Sequence, residues 1–385
     1  MPGRNFLFVP GPSNTPDRIQ RAMHRATDDH RSSSFPELTR AILPRLKEVF
    51  GTTHARTFVF PSTGSGMWEA ALVNTLSTGD RLLAVRGGQF GHLFIDSARR
   101  LGYDVNVIET EWGAPVPPDR IEEALKADTA HEIKGVLVVH NETSTGVTSD
   151  IAAVRRAMDA AKHPALLYVD GVSSVASLEF RMDDWGVDLA IAGSQKGFML
   201  PAGLGILAVS EKALAAREHA RSPRAFFDFA PMIQQNDQGY FPYTPAVTLL
   251  YGLRESLDML LEEGLENVFA RHRRLADACR AAVSAWGLSL CATGPAWYSD
   301  TVSTVMTPAG VDSNKIIDTA YRRYDLSLGA GLGQLGGKAF RIGHLGDLNE
   351  LMLLGALAGV EMALKTSGAD VKLGSGVAAA QDELF

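Results

Sequence analysis

Two cysteines in 385 residues, Cys279 and Cys291, are too few for a disulfide framework, and neither has the partners of a metal site. They read as reduced core or surface thiols. No apolar run approaches the about 20 residues that a membrane span needs, and the amino terminus lacks a basic segment followed by a long apolar one. The chain therefore reads as cytoplasmic. A block of positive charge is missing too: 37 Lys and Arg stand against 44 Asp and Glu, a net charge of −7, which gives no support to nucleic-acid binding. The 10 histidines are dispersed, and His30, His140 and His344 have no second ligand at helical spacing, so no metal is expected. Neither an internal repeat nor a low-complexity linker interrupts the chain, and the small-residue tail Gly374 to Ala380 reads as a frayed terminus.

What is present is a rhythm of short apolar runs. They recur at Thr57 to Phe60, Arg81 to Val85, Val105 to Glu109, Gly135 to Val139, Ala165 to Val169, Val187 to Ala192 and Gly205 to Val209, with helical patterns such as Ile151 to Lys162 between several of them. Strands alternating with helices predict an α/β fold with a mainly parallel sheet covered on both faces. At about 150 residues per domain the length suggests two or three domains. The reading places an N-terminal segment at 1–20, a large domain at 21–262, and a smaller C-terminal domain at 263–385 of mixed strands and helices. A helical pattern from Thr248 to Val283 leads into the last, and the glycine-rich stretch Gly329 to Gly337 reads as a flexible loop before Arg341.

The run Val187 to Ala192 ends in Gly193-Ser194-Gln195-Lys196-Gly197, which delivers a lysine at a strand end beside mobile backbone. The run Ala165 to Val169 ends in Asp170-Gly171, 26 residues before Lys196, close enough for both side chains to project at one sheet edge. Ligands bind at such edges in open α/β sheets. A lysine amine that can form a Schiff base and a carboxylate that can hold a pyridine nitrogen protonated are the pair that pyridoxal 5'-phosphate chemistry requires. Its phosphate needs a seat, and Pro61-Ser-Thr-Gly-Ser-Gly-Met-Trp-Glu-Ala70 supplies one: glycines permit a tight turn, and the helix pattern from Trp68 to Leu76 opens with free N–H groups.

Taken singly, each signal has a plainer meaning. Lys196 is a solvated strand terminus, Asp170-Gly171 a turn, the serine- and glycine-rich segment a helix cap, Phe90 core filling, and Arg341 a surface ion-pair partner. A nonenzymatic phosphate- or nucleotide-binding module on the same sheet is the alternative from another class. Against it, the Ser62 to Met67 turn lacks the Gly-Lys-Ser/Thr ending of a P-loop, and no Gly-x-Gly-x-x-Gly follows the first strand.

Seven segments in order bring the whole chain together: Val9-Pro-Gly-Pro-Ser-Asn14, Ser62 to Glu69, His140-Asn-Glu-Thr-Ser-Thr-Gly-Val147, Val169-Asp-Gly171, Gly193 to Gly197, Phe241-Pro-Tyr-Thr-Pro245 and Phe340-Arg-Ile-Gly-His-Leu-Gly346. With them the chain resembles the class V, fold-type I aminotransferases, and within these the alanine– and serine–glyoxylate group. The resemblance implies a large domain with a seven-stranded, mainly parallel sheet, a smaller C-terminal α/β domain, pyridoxal 5'-phosphate as cofactor, and a homodimer with a shared active site. It implies that Lys196 is the Schiff-base lysine and proton shuttle, that Asp170 pairs with the pyridine nitrogen, and that Phe90 stacks on the ring where many members carry tryptophan. Ser65, Gly66, Met67 and Gln195, with Thr244 from the partner subunit, would hold the phosphate. Thr143 would bond the ring hydroxyl or nearby cofactor atoms, and Arg341 would grip the substrate carboxylate in bidentate fashion.

Phe241 departs from relatives that carry tyrosine there, and Tyr240 or Tyr243 is the candidate to compensate. A cysteine desulfurase, from the same structural class, is disfavoured because Asp325 to Lys338 contains no nucleophilic cysteine. The reaction the resemblance implies is a ping-pong transamination from an amino acid to glyoxylate, giving glycine. Segments such as Phe180 to Val187 resemble serine– and aspartate–glyoxylate enzymes alike; serine ranks first, aspartate second and alanine third. Aspartate would need a second cation, for which Arg31 is the candidate, although a structural ion pair is the preferred reading of that residue.

Overall fold

Residues 5–385 are described by the computed structural model. All seven apolar runs form strands of a single sheet, in the order Arg56–Ser62, Gly203–Val209, Leu189–Gly193, Leu166–Asp170, Ile133–Val139, Arg81–Arg86, Asp104–Glu109. Gly203–Val209 runs antiparallel to both neighbours, while the other pairings are parallel. Leu166–Asp170 and Leu189–Gly193 are buried at every position, as expected of strands covered on both faces. Successive side chains enter opposite cores: Leu167, Ala190 and Ile206 belong to one apolar cluster, and Tyr168, Ile191 and Leu207 to the other. The two central strands lie side by side with Asp170 opposite Ile191, so both chains leave the sheet at the same edge.

The helical pattern from Thr248 to Val283 is two helices, Val247–Glu263 and Leu265–Ala285. Gly264 separates them with a φ of 84°, a conformation that a side chain would strain. The second sheet has five strands: Phe6–Phe8, Leu326–Ala330, Ala339–Gly343, Val302–Met306 and Ser289–Leu290. Its first strand comes from the start of the chain and pairs in parallel with Leu326 to Leu328. A third core, including Phe8, Leu275, Val305, Phe340 and Leu357, lies against this sheet.

Two expectations about irregular segments are corrected. The tail is not frayed, since Ser375–Leu384 is a helix. The buried carboxylate of Glu361 fastens its start, accepting from the Gly374 N–H at 2.7 Å, the Gly376 N–H at 2.5 Å and Trp286 Nε1 at 2.9 Å. The glycine-rich stretch is not a free loop either. Gly329 and Ala330 pair with Arg341 and Phe340, and Gly333–Leu335 forms a short 3-10 turn. A Cβ at Gly333 would stand 2.5 Å from Gln89 Oε1 and 2.8 Å from the Trp112 ring, so the stretch packs on the large domain. Among the described residues no helix is long and apolar enough to cross a membrane.

Candidate active site

Lys196 lies in the turn three residues beyond Leu189–Gly193 and is only 8% exposed. Burial pushes its ammonium down to about 8, the nearby charge of Arg341 acts in the same direction, and Asp170 opposes them. The chain's own beginning covers it. Nζ donates to the Pro10 carbonyl, Ser13 Oγ donates to the Lys196 carbonyl at 2.8 Å, and the Ser13 N–H donates to the Gln195 carbonyl at 3.0 Å. A Cβ on Gly11 would fall within 2.4–2.5 Å of Lys196 Nζ, Cε and Cδ, so only glycine lets this strap lie against the lysine.

Asp170 ends its strand with both carboxylate oxygens engaged: Oδ1 accepts the Val172 N–H at 2.8 Å and Oδ2 accepts Trp68 Nε1–H at 2.9 Å. Burial raises its pKa to about 6; the two donors pull against that rise, Glu142 adds to it, and Lys196 lowers it. Asp170 and Lys196 thus act on each other's charge without forming a direct ion pair.

Between them opens the helix Gly64–Thr75, which follows Arg56–Ser62 almost directly. Neither Gly64 nor Gly66 has positive φ, so the glycines serve close approach instead of a tight turn: a Cβ at Gly64 would stand 2.4 Å from Val172 Cγ2, and one at Gly66 2.1 Å from Ser62 Oγ. The Met67 N–H already donates to the Thr63 carbonyl at 3.3 Å and its side chain fills the core. Ser65 and Gly66 N–H have no partner among the described residues, and Thr63 gives no side-chain cap. A Cβ at Gly193 would lie 3.0 Å from Gln195 Oε1 and 3.4 Å from the Gly64 N, which brings Gln195 to this helix start; Oε1 is buried without a hydrogen bond.

Arg341 comes from the other sheet. Its guanidinium donates from Nε to the Ala330 carbonyl at 2.8 Å and from Nη1 to the Thr143 carbonyl at 3.1 Å, and no carboxylate pairs with it among the described residues. Burial brings it down to about 10, with Glu142 opposing. Thr143 Oγ1 donates to Ser173 Oγ at 2.8 Å. Glu142 caps the helix Gln89–Arg100, accepting from the Phe90 N–H at 3.1 Å and the Gly91 N–H at 3.0 Å, and it accepts Ser144 Oγ–H at 2.6 Å. One carboxylate therefore sets Phe90 on one side and braces the Thr143–Ser144 backbone on the other.

A buried amine of lowered basicity, a carboxylate, a cation with no carboxylate partner among the described residues and a set of free N–H groups meet where the two domains join. The family model for Aminotransferase class-V matches residues 6–317. The chain belongs to the class-V aminotransferases. It is 61% identical to the serine–glyoxylate aminotransferase of Methylorubrum extorquens over 100% of this chain and 96% of that one. It is 55% identical to the L-aspartate–glyoxylate aminotransferase of Paracoccus denitrificans over 99% and 96%. The solved ureidoglycine–glyoxylate aminotransferase of Bacillus subtilis superposes with a TM-score of 0.92 at 28% identity, covering 100% of this chain and 98% of its own. The nonenzymatic-module reading falls with these findings.

Not every expected residue of this class-V aminotransferase joins the cluster. Thr244 is exposed and bonds none of the residues above. The hydroxyls offered in place of a tyrosine at Phe241 have other acceptors: Tyr240 donates to the Ser32 carbonyl at 3.3 Å and Tyr243 to the Ala225 carbonyl at 3.4 Å. Arg31 is exposed, and its side chain has no carboxylate partner among the described residues, which corrects the structural ion-pair reading. Sequence reasoning missed Trp68, Glu142, Pro10 and Gly11. All four stand inside the motifs that carried the resemblance, but their partners lie far along the chain.

Buried rings give the aminotransferase a pH signature. His140, His272 and His344 are held neutral by burial, at about 4, 4 and 3 against an ordinary 6.5. Their contribution to stability is complete above pH 6.5 and is lost as the pH falls toward 4. Asp170, raised from 3.8 to about 6, works in the opposite direction by one proton. Near pH 5 unfolding of the chain alone takes up a net of about two protons, so stability should fall by about 3 kcal/mol per pH unit there. Calorimetry between pH 7 and pH 5 measures this; an unchanged Tm over that range would contradict it.

Proposed function

We propose that the chain transfers the amino group of serine to glyoxylate, forming glycine, with pyridoxal 5'-phosphate as cofactor. The cofactor chemistry of this reading is carried by Lys196, a buried amine at the sheet edge whose basicity is lowered to about 8, and its donor and acceptor are supported by the 61% identity to the serine–glyoxylate aminotransferase of Methylorubrum extorquens. When bound, the cofactor supplies an electron sink for the pair left behind as an amino acid loses its Cα proton. Lys196 Nζ takes that proton and later returns it, a task suited to an amine whose basicity lies near the working pH. Asp170 keeps the ring nitrogen protonated, and Arg341, which no carboxylate pairs among the described residues, grips the substrate carboxylate. Phosphate oxygens fit the free N–H groups of Ser65 and Gly66 at the helix start, with Gln195 beside them. Phe90, fixed by Glu142, offers its ring face to the cofactor, and Thr143 its hydroxyl. The Pro10–Pro12 strap keeps water from the amine.

Thr244 takes its proposed role from a second copy. Supporting this, Tyr243 (41% exposed) and Phe226 (42% exposed) stack at 5.1 Å beside it, an aromatic patch suited to a homodimer interface. We place the domains at 21–262 and 263–385, after an N-terminal segment of 20 residues.

Glycine formation from glyoxylate, measured with serine, aspartate, alanine and phosphoserine as donors, tests the reading. Serine should dominate, and Arg31→Ala should leave that rate unaltered. The 55% identity to the L-aspartate–glyoxylate aminotransferase of Paracoccus denitrificans supports aspartate as the second reading, with Arg31, which has no carboxylate partner among the described residues, as the candidate second cation. Dominance of aspartate, with Arg31→Ala raising its KM by about tenfold or more, the worth of one charge-assisted contact, would replace serine by aspartate.

A further inference from the structure

Trp68 has no part in the function described so far, yet among the described residues it is the one side chain that hydrogen-bonds Asp170. It stands four residues after Gly64, and therefore one turn along the same face of the helix whose first N–H groups are the phosphate seat. The indole is 4% exposed and lies flat on Phe94, with ring centroids 5.2 Å apart and planes 16° from parallel. Packing thus fixes the ring, and the ring aims Nε1–H at Asp170 Oδ2. An indole N–H can donate and cannot accept, so this bond favours the carboxylate over the carboxylic acid. With Val172 N–H on Oδ1, the carboxylate is gripped at both oxygens, and each oxygen keeps a lone pair for a further donor.

We propose that Trp68 is a positioning residue of the reaction, holding the Asp170 carboxylate in one orientation and in its ionised form so that Asp170 keeps the cofactor's ring nitrogen protonated. The inference rests on the cofactor reading above. It makes one helix responsible for both ends of the cofactor, the phosphate through its opening N–H groups and the ring nitrogen through Trp68 and Asp170.

The test compares wild type and Trp68→Phe, freed of cofactor and titrated with pyridoxal 5'-phosphate or with its 1-deaza analogue, in which carbon replaces the ring nitrogen. The phenylalanine variant should bind the natural cofactor about tenfold more weakly, the worth of one hydrogen bond to a charged acceptor. Both proteins should bind the deaza analogue equally, because Asp170 has no ring proton to hold there. Equal weakening of both cofactors would show a merely structural role and overturn the proposal, as would unchanged binding of the natural one. If wild type binds neither compound, the cofactor reading itself fails, a result distinct from either. Should phenylalanine prevent folding, benzothienylalanine at position 68 keeps the bicyclic shape, lacks the N–H, and gives the same comparison.

Discussion

Lys196→Ala should lower turnover by about 10,000-fold, the upper range for a positioned general base, while leaving the fold intact. Two opposing effects decide the second half of that expectation. Truncation removes a buried aliphatic stem, which costs about 2 kcal/mol of packing. It also removes an amine pushed from 10.5 to about 8, and holding that group inside the fold at pH 7 costs about 3 kcal/mol by linkage. The two nearly cancel, so Tm should move by only a few degrees. The buried Pro10 carbonyl loses its donor, and a water filling the space of the missing side chain can replace it. Single-turnover rates and a thermal scan of the same sample check both halves. Near-normal turnover would remove Lys196 from the mechanism, and a collapsed Tm would mean that the amine is a structural strut. Partial rescue by added small amines would identify the missing group as a proton carrier.

Asp170→Ala should cut activity by about 100- to 1,000-fold, as loss of one preorganised charge partner does, and unlike the lysine variant it should destabilise the chain. It orphans the buried Trp68 Nε1–H donor at about 1–3 kcal/mol and the half-buried Val172 N–H at less. Asp170→Asn separates the two effects. It keeps an acceptor for one donor and recovers part of the stability, but it has no charge to hold a ring proton, so activity should stay low. Thermal melts and steady-state rates of the pair give the answer. Equal rates for Asp170→Asn and wild type would exclude the proposed partnership with the ring nitrogen.

The two residues behind these expectations were legible because they depend on short-range signals. An apolar run of five or six residues, bounded by small residues, identifies a buried strand by its own composition, and the residue just beyond it must emerge at the sheet edge. Lys196 and Asp170 follow such runs, and the adjacent parallel pairing of Leu166–Asp170 with Leu189–Gly193 brings those ends together. Arg341 was legible through its motif, though nothing local showed that it reaches across from the second sheet to the Thr143 carbonyl. The Gly264 break within an apparently continuous helical pattern was in plain view as a residue type, but periodicity alone carries on through it.

The sequence by itself determined the seven-stranded sheet, its two-sided cover, the family, and the lysine–aspartate pair, since these follow from hydrophobic periodicity and from motifs a few residues long. Tertiary structure alone decided what surrounds that pair. Pro10 meets Lys196 across 186 positions, and Trp68 meets Asp170 across 102. Glu142 caps a helix more than 50 residues before it, and Glu361 turns an unremarkable small-residue tail into a docked helix. Each of these contacts joins a buried polar group to a donor or acceptor that only chain folding delivers. Burial makes such groups costly to leave unpaired, and burial is a property of the packed molecule.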